Sequence, residues 1–367
     1  MALKRPDDSE RNAIIKALCH AVSSVSGASS SFEGFINFYN ITCSIKTHDA
    51  ILTINNPALL SHDHLLRSIT DLRGRPQLTR GEFESLAFPE AAQTERERVI
   101  RIAVRVSFMI DCSSKDDYSE GYQLSDRFPV KWKQSQPFAD FLRETFPVSN
   151  NPGAWPAHIM GRGKALKGWK LKKRYDLRLV PTNDLVQHLM YDQDSRTVKI
   201  FHQTAWLKSH LRHSAHLPLT QDFESSVKQG TLPPRLLLET LVSIYYVLFP
   251  VSTDTRSAKF AASLVRKAGF DSDFVIDDGT IREIPEHFDY IYWGDRLQQI
   301  QTVISKPPPS NRVISWIERH TSERNALTVA IVGVFLAVLF GFLGFAVGLA
   351  QLVVSVLALN QQDGSAN

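Results

Sequence analysis

The sequence predicts a mainly α protein with a small α+β insert and a C-terminal transmembrane helix. Three observations carry that prediction. Apolar residues recur at helical spacing in a series of capped segments. Strand-like alternation is confined to an insert at about residues 174–213. The stretch Ala326 to Leu359, ALTVAIVGVFLAVLFGFLGFAVGLAQLVVSVLAL, runs for 34 residues without a charge, where about 20 suffice to cross a bilayer core.

Residues 8–26 open on Asp8 and Ser9, place Ile14, Ile15, Leu18 and Val22 on one face and stop at Gly27, the pattern of a capped amphipathic helix. The low-complexity SSVSGASSS that overlaps its end reads as a loop. Thr79 with Glu82 and Thr94 with Glu97 are capping-box pairs that open two further helices. The second, at about 95–111, is apolar on most of its surface and belongs at the centre of a bundle. VKWKQSQPFADFLRETFP holds a short helix between prolines. A helix is expected from about Gly163 to Lys172 with Leu166 and Trp169 inward.

From Arg174 the pattern changes: Tyr175, Leu177 and Leu179 alternate with Arg174, Asp176 and Arg178, which predicts a strand ended by Pro181. TNDLVQHL reads as a capped short helix, RTVKIF as a second strand and QTAWLKSHL as another helix. Residues 233–249, PPRLLLETLVSIYYVLF, begin on proline and stop at Pro250, a core helix too short to span a membrane. A helix at 254–268 closes on Gly269, and another at 286–305 carries Phe288, Trp293, Leu297, Ile300 and Ile304 on one side. The expected organisation is an N-terminal helical region (1–92), a main helical domain (93–305), a proline spacer KPPPS with an interfacial helix around Trp316 (306–325), the transmembrane helix (326–359) and a short tail (360–367).

The chain has 367 residues, 43% hydrophobic and 22% charged, and a formal charge of +4. The stretch from Arg162 to Arg178 alone contributes +7, from Arg162, Lys164, Lys167, Lys170, Lys172, Lys173, Arg174 and Arg178 against Asp176, which leaves the rest at −3. Basic character is therefore local, and histones or ribosomal proteins are excluded as analogues. Cys19, Cys43 and Cys112 are odd in number and lack a CxxC, which fits a reducing compartment and excludes a disulfide framework. MALKRPDDSER lacks an apolar core, so no secretory signal is expected. Lys306, Arg312, Arg319 and Arg324 precede the apolar segment and NQQDGSAN after it holds no base, which predicts a cytosolic N-terminal part and a single-pass topology.

Catalytic signatures are missing: GRGKALKG cannot complete a phosphate loop because Trp169 follows Gly168, and GxSxG, HExxH and GxGxxG do not occur. Asp271, Asp273, Asp277 and Asp278 fail as a calcium loop, since Val275 and Arg282 occupy ligand positions. His202, His210, His213 and His216 lack a cysteine or acid to complete a zinc set and are expected to pack or lie at the surface; His188 is expected to hydrogen-bond at the edge of the core. No metal and no cofactor is predicted.

Two candidate interaction sites remain. The basic stretch is read as a solvated face, a contact for anionic lipid or a contact for an acidic protein, and nucleic acid fits poorly beside a membrane anchor. In the apolar segment Gly333, Ala337, Gly341, Gly344, Gly348, Gln351 and Ser355 recur at spacings of three and four, a small-residue stripe through which copies of the helix can pack closely.

RIAVRVSFMIDCSS, VKWKQSQPFADFLRETFP, LKKRYDLRLVPTNDLVQHLMYDQDSRTVKIFHQTAWLKSHL and YWGDRLQQI, followed by a proline spacer and a glycine-bearing final span, together resemble a family of uncharacterised filamentous-fungal proteins with a helical cytosolic domain and a C-terminal anchor. The resemblance covers roughly residues 60–355 and implies architecture and a fungal setting, not an activity. The resulting expectation is a membrane-anchored, cytosol-facing interaction protein bound to the lipid bilayer and able to form a homo-oligomer through its helix. The alternative is a membrane-surface enzyme acting on a lipophilic substrate in a fungal secondary pathway, with the acidic 271–289 segment as its site.

Overall fold

The structure, a computed structural model, describes residues 3–20, 32–44, 61–112, 131–149, 166–193, 195–279, 281–285, 288–305 and 326–363. Residues 1–305 make one compact unit and 306–367 a second. The fold is mainly helical, with one three-stranded sheet among the described residues.

The first unit opens with α1 (Asp8–Cys19), capped reciprocally by Asp7 and Glu10 and ended by His20 in the left-handed region, well short of Gly27. In α2 (Glu33–Cys43) the cap residue Phe32 offers no side-chain acceptor. The Asp271 carboxylate instead lies against Gly34 in its first turn, so close that a Cβ there would sit 2.4 Å from Asp271 Cγ, and its charge complements the helix dipole. α3 (His62–Gly74) is capped by Ser61, and α4 (Arg80–Ala87) by the expected Thr79–Glu82 box.

The central helix α5 (Gln93–Phe108) buries Val99, Ile100, Ile102, Val104, Val106 and Phe108, as its apolar surface requires. It starts earlier than its capping-box pattern suggests, with Ala92 as cap and Thr94 inside the first turn. The reason lies in Glu97, which is engaged by Gln93 Nε2 and Arg80 and so does not close a box with Thr94. α6 (Phe138–Thr145) is the proline-bounded helix. The described residues before position 93 share one hydrophobic core with those that follow.

The insert begins with α7 (Gly168–Tyr175), followed by β1 (Arg178–Thr182), a single 3-10 turn at Leu185–Gln187, β2 (Tyr191–Asp192), β3 (Thr197–Phe201) and α8 (Thr204–His213). The strand order is β1-β3-β2, with β1 parallel and β2 antiparallel to β3. Three expectations are corrected here. The helix of the basic stretch runs to Tyr175, buries Leu171 and leaves Trp169 half-exposed. The apparent alternation from Arg174 is broken by Asp176 at φ 53°, which turns the chain before β1. Pro181 lies inside β1, opposite Ile200, and is tolerated because β1 is an edge strand with one side free of ladder bonds.

After α9 (Phe223–Lys228) comes α10 (Pro234–Val242), which continues through a π-helical turn, Ser243–Leu248. α11 (Thr255–Ala268) stops at Gly269, φ 76°, as its sequence predicts. α12 begins only at Gly294 (Gly294–Ser305), whereas a helix from 286 was expected. The carboxylate of Glu239, fully buried on α10, takes the N–H groups of Ile291 (2.8 Å), Tyr292 (2.8 Å) and Trp293 (3.2 Å). Those amides hold a non-helical segment, and Phe288, Tyr290 and Trp293 reach the core from it. The second unit contains α13 (Ala326–Asp363), one helix of 38 residues uninterrupted at Gly341 and Gly344. The spacer KPPPS and the helix around Trp316 lie outside the described residues.

Replacing Glu239 with alanine would strand three buried amides and the Arg235 guanidinium. Chemical denaturation is expected to show a loss of about 3–5 kcal/mol, the usual cost of removing one partner from a buried charged pair, and a smaller loss for Glu239→Gln, which keeps one acceptor oxygen.

Candidate functional site

The basic stretch divides into structural and free charges. Lys167 Nζ forms an ion pair with Asp254 Oδ2 at 2.6 Å, and Trp169 Nε1 reaches the same oxygen at 3.3 Å. Burial by itself would raise the Asp254 carboxyl, but hydrogen bonds from Lys167, Trp169 and Ser257 hold it well below the usual carboxylate range. Lys167 therefore fastens the start of α7 to the start of α11. Lys170 Nζ lies 5.6 Å from the Trp169 ring centre, and Lys172 Nζ 5.9 Å from that of Phe260 on α11. Lys173, Arg174 and Arg178 are exposed and have no ion-pair partner among the described residues. Arg162 and Lys164 lie outside them.

α11 adds what sequence reasoning missed. Its N-terminus meets that of α7, where the Arg256 guanidinium carbon stands 5.3 Å from the Trp169 ring centre, and Lys172 over Phe260 repeats the contact a turn later. The two helices thus run side by side in the same direction. Arg256, Lys259, Arg266 and Lys267, all exposed, share one side of α11, while Ser257, Ala261 and Leu264 face the core. The spacing of these bases was legible, but nothing in the sequence puts residues 255–268 next to 168–175.

The small-residue stripe is unpartnered. Gly333, Ala337, Gly341, Gly344, Gly348, Gln351 and Ser355 are all exposed, and apart from the adjoining backbone of the helix itself no atom lies within 4 Å of a Cβ placed at any of the four glycines. The stretch Gly333–Ser355, 23 residues, is long and apolar enough to cross a membrane, and none of it is buried.

The acidic segment does not converge. Asp271 is buried against α2, Asp277 accepts from Ser252 Oγ at 2.8 Å, and Asp278 pairs with Arg212 at 2.9 Å and Lys208 at 3.5 Å. The nearby cavity, bounded by Lys208, Leu238, Tyr245, Tyr246, Asp277 and Ile281, holds about 30 Å³, room for a few waters. Among the described residues no three His, Cys, Asp or Glu side chains are grouped to hold a metal.

The histidines serve the packing. His202 Nδ1 accepts the Asp271 N–H at 2.9 Å. His210 bonds the Leu18 carbonyl at 2.8 Å, and His213 stacks on His20 with ring centres 3.8 Å apart. His188, expected at the edge, is wholly buried: it accepts the Phe201 N–H on Nδ1 (3.2 Å) and lies 2.7 Å from Ser243 Oγ through Nε2. Burial lowers the pKa of His20 to about 4 and of His202 to about 4, and pushes His188 and His210 well below the ordinary value. In the other direction, burial, reinforced by the neighbouring Asp111 and Asp273 respectively, raises Asp184 to about 7 and Asp271 to about 6.

The chain matches no protein-family profile, no curated protein sequence and no solved structure.

The buried groups set a pH dependence. Each of the four histidines binds its proton more readily unfolded, so its contribution is complete above pH ~6.5 and declines as pH falls, through about 4 for His20 and His202. Asp184 and Asp271, raised on folding, oppose this over the range up to about 7 and about 6, and the buried Glu239, also raised, opposes it too. Four groups outweigh three, and each net proton changes stability by about 1.4 kcal/mol per pH unit. The melting temperature should fall between pH 6.5 and 4, and His202→Gln, which keeps an acceptor for the Asp271 amide, should flatten that slope.

Proposed function

We propose that this protein is a membrane-anchored, cytosol-facing interaction protein that self-associates through its C-terminal helix. The observation that carries the reading is the apolar helix itself: Phe342 is 71% exposed and Phe340 67%. A continuous sheath of such side chains in water is unfavourable at about 25 cal/mol per Å², and lipid removes that cost. The bases of 306–325 against the base-free tail support the cytosolic orientation of the first unit. The small-residue stripe supports self-association, because glycines let two backbones approach and Gln351 can bond across the contact. The acids of the 271–278 segment do not converge, and the cavity beside them has room for only a few waters, which favours a role exercised by surfaces over catalysis at that segment.

Topology can be read from glycosylation. The natural sequon at Asn40 should stay unmodified in cells, and a sequon appended after Asn367 should acquire a glycan sensitive to endoglycosidase; the opposite pattern would invert the orientation. For self-association, chemical crosslinking between differently tagged copies in mild detergent should drop severalfold in G341L/G344L/G348L. Unchanged crosslinking would remove the stripe as an interface.

A further inference from the structure

We infer that the joined faces of α7 and α11 form one cationic docking surface for an anionic lipid leaflet, an inference that rests on the anchored reading above. The bases come from two segments about 90 residues apart in the chain and are assembled only by folding. On α7 the sequence GWKLKKRY buries Gly168 and Leu171 and turns Lys172, Lys173 and Arg174 outward. On α11 the outward side carries Arg256, Lys259, Arg266 and Lys267. Neither helix contains a carboxylate, and Asp254 at their junction is already engaged by Lys167. The surface therefore presents seven exposed bases on two adjacent helices with no acid on either.

Two features select a lipid surface from among polyanions. First, aromatic rings lie among the charges: Trp169 is half-exposed between Lys170 and Arg256, and Phe260 half-exposed beneath Lys172. An indole flanked by cations suits the headgroup layer, where its body meets acyl chains and its cations meet phosphates. Second, the same chain carries the apolar helix that proposes a bilayer as its permanent neighbour. A nucleic acid or an acidic protein would have to be recruited; an anionic leaflet would already be present.

The test uses the full chain in nanodiscs of phosphatidylcholine alone or mixed with phosphatidylserine, read by backbone hydrogen exchange. Slowed exchange over 168–175 and 255–268 is expected only with phosphatidylserine and should vanish at high salt. K172Q/K173Q/R174Q and R256Q/K259Q/R266Q/K267Q should each lower the docked fraction across both helices, the first by roughly a hundredfold in the docked-to-free ratio. Because these side chains are exposed, exchange elsewhere should match wild type and so report an intact fold. Equal exchange in the two lipids, or slowing of α7 that survives the α11 substitutions, overturns the proposal, as does slowing by an RNA oligonucleotide without slowing by phosphatidylserine. A chain that fails to enter nanodiscs refutes the anchor alone. Its flotation with phosphatidylserine vesicles would then support the face, and equal flotation with phosphatidylcholine would overturn it.

Discussion

The fold of the first unit depends on a carboxylate with no access to water. Burial raises the pKa of Glu239, opposed by the amides of Tyr292 and Ile291 and by Arg235. A buried charge is tolerable only when fully hydrogen-bonded, and here the bonds come from three consecutive amides that would otherwise start a helix. Arg235 completes the set, donating to Glu239 and to the Asp289 carbonyl while lying 4.2 Å from the centre of the Phe288 ring. The pinned segment then delivers Trp293, whose Nε1 bonds Thr240 Oγ1 at 2.8 Å and whose ring meets His188 edge-on at 5.3 Å. His188 in turn joins Ser243, at the start of the π turn, to the amide of Phe201 at the end of β3. One polar chain thus connects α10, the 288–293 segment and the sheet.

What could be read in the sequence follows from how local each cause is. The Thr79 box, the stop at Gly269 and the proline-bounded α6 are decided within a turn of helix, and the structure has them where the pattern puts them. The late start of α12 is decided by Glu239, more than fifty residues earlier, and no periodicity at 286–293 reports it. The strand expected from Arg174 begins only at Arg178, because α7 remains helical to Tyr175 and Asp176 adopts a left-handed turn, while two-residue β2 is too short to show a pattern at all. Of the candidate site, the seven-residue stripe and four exposed bases on α7 and β1 were legible; Lys167 was misread as free because its partner, Asp254, is distant in sequence.

A glycine links this packing to the charged face. A Cβ at Gly168 would lie 2.6 Å from the Phe249 ring and 3.1 Å from Leu179, so only glycine lets α7 descend onto the end of the π turn. Phe249 packs on Phe260 and Phe274, with ring centres 6.2 and 5.0 Å apart. The same aromatic contact that seats α7 therefore seats α11, and the Lys167–Asp254 pair fixes their junction. The basic residues repel one another, and it is this apolar and ionic seam beneath them that keeps them adjacent.

Such a face acts differently on a tethered domain than on a free one. A soluble protein needs several bases, each worth about 1 kcal/mol near an anionic surface, to offset the entropy of leaving solution. On the proposed reading the C-terminal helix has already removed that requirement, and the residual equilibrium is intramolecular, between orientations of the first unit at high effective concentration of lipid. Seven exposed bases are then more than attachment requires. Their proposed consequence is choice of orientation: with α7 and α11 toward phosphate, the rest of the surface, which carries most of the acids, would be turned away from the leaflet. Because that preference is electrostatic it weakens with ionic strength and with the anionic content of the leaflet, so the surface offered to a partner would depend on the membrane in which the helix resides.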